Sequence, residues 1–219
     1  MARIAEDLLL LLLDNPEAQP RLDRSRLQRV LAAALVCDLA FQCRVRPALP
    51  DEGVTAGHLL ALAGPVPPDP AVRPALTLLQ EGPISPASAI ARIRKHAEDD
   101  VLDQLLRTGQ IHQISLTSHR LRRNHYRWPA KNRGRVAVAM AELLGALFEG
   151  RHPQPVTAAV IGLLYGVDGF GAVVTLNDPG VQAVADRAAE LSEGGWADRS
   201  DTAEVNLGLT LAEIVPALR

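Results

Sequence analysis

LQRVLAAALVCDLAFQCRV, residues 27–45, is the stretch from which the fold is read. From Val30 to Phe41 it carries one charge, Asp38. Those twelve residues make about 18 Å of helix at 1.5 Å per residue, well short of the ~30 Å hydrocarbon core of a bilayer. A helix that is apolar all round and too short to span is the buried centre of a globular fold. Ala32, Ala33, Ala34 and Ala40 let neighbouring helices come close. Arg44-Val45-Arg46 then alternates before Pro47, so the helix is expected to run straight into a short strand.

On the N-terminal side, Ile4 to Leu13 reads as a first helix with Glu6 and Asp7 in its opening turn, where the helix dipole favours acids. Asp14-Asn15-Pro16 ends it. Its six leucines in a row, Leu8 to Leu13, have the look of a short export signal, but acids flank them on both sides. A signal peptide needs positive charge there, so a cytoplasmic protein is expected. Ser25 is the expected cap of the central helix. Arg24, Arg26 and Arg29 crowd its first turns, where cations are electrostatically unfavourable. They mark either a solvated surface or an anion-binding face.

On the C-terminal side, extended pieces around Val45 and from His58 to Ala63 flank Pro50-Asp51-Glu52-Gly53 and can pair as a hairpin. Prolines 65, 67, 68, 70 and 74 make a crossing loop, Ala75 to Gln80 a short helix, and Ala87 to Arg107 a long one that ends at Thr108-Gly109. Gln110 to Leu116 alternates like a strand. His119 to Arg135 then holds seven Lys or Arg and no acid. The whole chain has a net charge of −2, so with those seven set aside the remainder carries −9. Alternation of Arg123, His125 and Arg127 with Tyr126 and Trp128 marks the second strand of a hairpin, closed by Pro129. Four further helices are expected over residues 136–149, 156–165, 181–192 and 202–218. The expected architecture is mainly α: one helical-bundle domain over residues 1–219, with a projecting β-hairpin at about 110–128.

Composition agrees, with 47% hydrophobic, 22% charged and only 3% aromatic residues in 219. The two cysteines, Cys37 and Cys43, lie six apart on the central helix and face different sides, so no disulfide is expected. No metal, cofactor or catalytic site is expected either. The histidines (58, 96, 112, 119, 125, 152) have no ligand spacing, and no Ser or Cys has a recognisable base partner. Gly166 to Gly171 follows a helix rather than a strand, so it reads as a linker and not a phosphate loop. Asp99, Asp100 and Asp103 read as a solvated helix face. The order helix, turn, strand, basic loop, strand from Asp99 to Trp128 also fits a winged-helix DNA-binding regulator. Its would-be recognition helix opens with three acids, which phosphate repels, so nucleic acid is not the expected partner.

Several motifs, in order along residues 4–196, resemble the Golgi phosphoprotein 3-like family: IAEDLLLLLLD, LAAALVCDLAFQCRV, VLDQLLRTGQI, the hairpin closing on Arg127-Trp128-Pro129, and AAVIGLLYGVDGF. The Ala/Arg-rich composition suits a bacterial, actinobacterial member. The resemblance implies a helical bundle with a hairpin used in self-association, and a non-catalytic peripheral membrane protein. Eukaryotic members bind phosphatidylinositol 4-phosphate and act as adaptors for the cytosolic tails of glycosyltransferases. Alignment on DLAFQCRV and LLRTGQI puts Asp23, Ala32, Lys95 and Glu98 at the family's tryptophan and three arginines, so only Lys95 keeps its charge. Arg29 and Arg92 lie one helical turn before Ala32 and Lys95 and could form a shifted basic pocket. The expected anion site is therefore Arg29, Arg92 and Lys95. The expected membrane or self-association surface is Arg120, Arg122, Arg123, Tyr126, Arg127 and Trp128, with the two aromatics as apolar tips. The expected partners are an anionic phospholipid headgroup on the inner membrane face, or a second copy of the chain.

Overall fold

The computed structural model describes residues 4–116, 125–175 and 178–219. Its described elements are α1 (Ile4–Leu13), α2 (Arg24–Phe41), β1 (Val45–Pro47), β2 (Leu59–Ala61), α3 (Arg73–Leu79), α4 (Pro86–Arg107), β3 (Ile114–Leu116), β4 (His125–Arg127), α5 (Arg133–Phe148), α6 (Pro155–Gly166), α7 (Asp178–Ser192) and α8 (Thr202–Leu218). The fold is mainly α, with two small antiparallel sheets. The 44–64 hairpin forms with Val45 opposite Ala61, and the second hairpin with Ser115 opposite Tyr126.

The central helix is where its composition puts it. Twelve residues of α2 between Leu27 and Ala40 are buried, and α1, α4, α6 and α8 pack around it. One hydrophobic cluster takes residues from all eight described helices. The leucine run of α1 is part of it: Leu8 to Leu13 are all at most 2% exposed, so six consecutive leucines face protein on every side. No helix among the described residues is long and apolar enough to cross a membrane.

Helix ends follow local chemistry. The helix α4 starts at Pro86, and Ser85 accepts the Ser88 N–H. It ends before Gly109, whose φ of +67° only glycine adopts freely. One expected cap is displaced. Asp23, not Ser25, caps α2, accepting the Arg26 backbone N–H at 3.0 Å, because the helix already begins at Arg24. After Phe41 the chain turns through Cys43 at φ +52°, the Arg44 N–H donates back to Leu39 O at 2.8 Å, and β1 follows at once. Cys37 and Cys43 are both free thiols.

The arginines at the start of α2 answer the dipole objection by serving other helices. Arg29 Nη1 donates to Leu218 O at 2.8 Å, at the end of α8, and Arg26 Nη1 to Asp168 O at 3.2 Å, just past α6. A helix C-terminus presents unpaired carbonyls and partial negative charge, so a cation there is favoured.

Candidate functional site

The base of the second hairpin is held against the start of the chain. Trp128 N–H donates to Ala18 O at 2.8 Å, and Gln19 Nε2 donates to Tyr126 O at 3.0 Å. Below the strands, His112 N–H donates to Pro129 O at 3.0 Å and Lys131 N–H to Gln110 O at 2.7 Å, so the stem is continuous with α4. These bonds bring β4 over the junction of α2 and α4.

Between them lies a cleft of about 510 Å³. Arg24 and Leu27 line it from α2, and Glu98, Asp99 and Leu102 from α4. Tyr126 and Trp128 line it from the hairpin, and Gln19, Pro20 and Leu22 from the loop before α2. The floor is apolar, since Leu22, Leu27 and Leu102 are buried. The two aromatic rings stand with centroids 5.6 Å apart and planes at 48°. Glu98 is half-buried and its carboxyl is pushed above the usual carboxylate range, by burial first and by Asp99 second, against a downward pull from Arg24. With Arg24 positive and Glu98 and Asp99 negative, the charged walls sum to one negative charge.

The residues singled out from the sequence are distributed differently from the expectation. None of Arg29, Arg92 and Lys95 lines this cleft. Arg29 serves α8, as above, and Arg92 pairs with Glu81 at 2.7 Å on the surface beyond α3. Lys95 is exposed on α4. Ala32 is completely buried, and Asp23 is tied to its own helix as a cap. Glu98 alone of the four aligned positions faces the cleft.

On the hairpin, Arg127 is exposed, and Trp128 is half-buried against the core at the base of the strand rather than at a tip. The expected pair of apolar tips is corrected in that respect: the backbone bond to Ala18 and the core beneath hold the indole down. Arg120, Arg122 and Arg123 lie outside the described residues. Further along the basic stretch, Lys131 and Arg133 are exposed. Arg135 instead points inward and binds Glu6 at 2.6 Å and Asp7 at 2.7 Å on α1.

Sequence reading missed Arg24, Asp99 and the aromatic wall as members of one site. The alignment gave a signal one residue away, at Asp23 and Glu98, but the hairpin's contribution comes from a distant part of the chain. A second cavity of about 540 Å³ lies between α1, α5 and α6, with Leu11, Val138, Leu143 and Val160 among its walls. Among the described residues no cluster of His, Cys, Asp and Glu is placed to hold a metal ion.

The family model for Golgi phosphoprotein 3 (GPP34) matches residues 4–205. No curated protein matches the chain.

Proposed function

Because the chain belongs to the Golgi phosphoprotein 3 family, we propose that it is a non-catalytic peripheral membrane protein that meets an anionic lipid surface through its basic hairpin. Membership over residues 4–205 is consistent with a lipid-binding or adaptor role. The observation that carries the finer reading is the concentration of charge: six Lys or Arg and no acid between His119 and Arg133, with Arg135 set aside because it pairs with α1, on a chain that is acidic elsewhere. Arg127, Lys131 and Arg133 of that stretch are exposed. Each Lys or Arg close to an anionic leaflet contributes about 1 kcal/mol of binding. The protein acts in the cytoplasm, on the inner face of the membrane. The charged cleft is not the anion site in this reading, since its walls are net negative and repel a phosphoinositide headgroup.

Sedimentation with vesicles tests this. The full chain is expected to pellet with vesicles containing phosphatidylserine at lipid concentrations at which neutral vesicles leave it in solution. Replacing Arg120, Arg122, Arg123 and Arg127 by Gln is expected to abolish pelleting while the mass in solution, read by light scattering, stays the same. A fall to monomer mass with vesicle binding intact would assign the hairpin to self-association instead. Tight binding to duplex DNA at physiological salt, with none to vesicles, would replace the membrane reading by a DNA-binding regulator.

A further inference from the structure

The cleft at the hairpin base is built for both signs of charge. Arg24 stands on one wall, at the start of α2, and Glu98 and Asp99 on another, on α4. Among the described residues none of these three side chains makes a hydrogen bond or a close ion pair with a protein group, although all three line the same cleft. Tyr126 and Trp128 form the third wall, and their rings attract a cation placed over them within about 6 Å. The buried leucines of the floor accept methylene groups.

A lone anion fits poorly, because the walls sum to a negative charge. A lone cation leaves the Arg24 guanidinium, a good phosphate donor, without an acceptor. A group that carries a phosphate and an ammonium a few bonds apart satisfies both walls. We propose that this cleft binds the phosphoammonium headgroup of a zwitterionic phospholipid. The phosphate lies at Arg24, and the ammonium lies between Glu98 and Asp99 against the Tyr126 and Trp128 rings. The volume of about 510 Å³ holds such a headgroup with space for the glycerol that follows it. Glu98 fits this role: its carboxyl is held up by burial and by Asp99, and a bound ammonium would supply the opposite charge that offsets that rise. The inference rests on the membrane reading above and adds a second contact, in which the hairpin meets the charged surface and the cleft selects one headgroup.

Trp128 supplies the readout. The other tryptophan, Trp196, is buried with its indole N–H on Leu191 O at 3.0 Å and does not line the cleft. Titration of the full chain with soluble phosphoethanolamine is expected to change tryptophan fluorescence saturably, and W128F is expected to remove the change. Neutral vesicles of phosphatidylethanolamine and phosphatidylcholine are expected to produce the same change at lipid concentrations above those at which phosphatidylserine vesicles pellet the chain. Inorganic phosphate and ethanolamine, each alone, are expected to bind at least about tenfold more weakly, as are the variants R24Q and E98Q/D99N toward phosphoethanolamine; each lost charged contact of this kind is worth about that factor. Three results overturn the proposal. The first is no response to phosphoethanolamine, or a response to it with none to the neutral vesicles. The second is inorganic phosphate binding equally well with E98Q/D99N silent, which makes an anion site. The third is ethanolamine binding equally well with R24Q silent, which makes a site for cations or basic peptides. The arginine-to-glutamine hairpin variant is expected to keep the phosphoethanolamine response, so failure of the anionic-surface reading is separable from failure of this one.

Discussion

Asp38 is the single charge in the apolar heart of α2, and its position explains why it is tolerated there. Its Oδ1 accepts the Ile4 N–H at 2.8 Å and its Oδ2 the Ala5 N–H at 3.1 Å, so it satisfies two of the free donors in the first turn of α1. Burial nevertheless raises its pKa to about 7, with Asp69 and Glu6 adding to the rise and the two backbone donors opposing it. The folded carboxyl keeps its proton up to about pH 7, whereas an unfolded one releases it near 3.8. This group's contribution is therefore complete below the ordinary carboxylate range and is lost as pH rises toward and through 7. Asp38→Asn keeps one acceptor but turns an amide N–H₂ toward the second backbone donor. It is expected to cost about 1–3 kcal/mol at pH 5. Urea unfolding is expected to show that gap narrowing at pH 8, and a gap that widens with pH would contradict the assignment. Arg135 is the other residue whose role depends on its neighbours. It belongs to the basic stretch in sequence but neutralises α1 in space, with Gln104 Nε2 donating to Glu6 at 3.3 Å beside it.

Among the elements, the turn between α7 and α8 shows how close packing replaces side chains by backbone. Gly194 has a φ of +79°, and a Cβ there would lie 3.0 Å from Gly208 O and 3.1 Å from Gly208 Cα on α8. Both the left-handed conformation and the contact with backbone oppose any side chain. Gly194→Ala is expected to destabilise by roughly 1–3 kcal/mol. Gly195→Ala, whose Cβ would meet nothing within 4 Å, is the matched control and is expected to leave the urea midpoint nearly unchanged. The cap of α2 is a second element-level case. Asp23→Ala removes the acceptor for the Arg26 N–H and is expected to lower the Tm at unchanged fold.

For the molecule as a whole the governing feature is polarity of charge. A net charge of −2 conceals a basic stretch of +7 against −9 elsewhere. Attraction of that stretch to an anionic leaflet works against repulsion of the acidic remainder, and both fall off within a Debye length of about 8 Å at physiological salt. Binding to phosphatidylserine vesicles is therefore expected to weaken steeply as salt rises from about 0.05 to 0.5 M, over which the screening length shrinks severalfold. The phosphoethanolamine response of the cleft is expected to fall much less, because its contacts are short and partly enclosed. Equal salt dependence of the two would mean that they are one site.

The helices were legible because their signals are local. An apolar run with small residues, Pro86 after Ser85, Gly109 after Thr108 and the acids of α1 each act within a turn or two of the backbone they control. The sequence by itself therefore determined the order of elements, both hairpins, the central place of α2 and the polarity of charge. It did not determine which charges remain free. Arg29 and Arg92 read as anion ligands until folding brought Leu218 and Glu81 to them. Trp128 read as an exposed tip until it met the core and Ala18 O. The cleft itself unites Arg24, Glu98 and Trp128, which lie more than twenty residues apart along the chain and meet only when α2, α4 and β4 pack together. A side chain's partner is set by distance in space, and only the tertiary structure decides that distance.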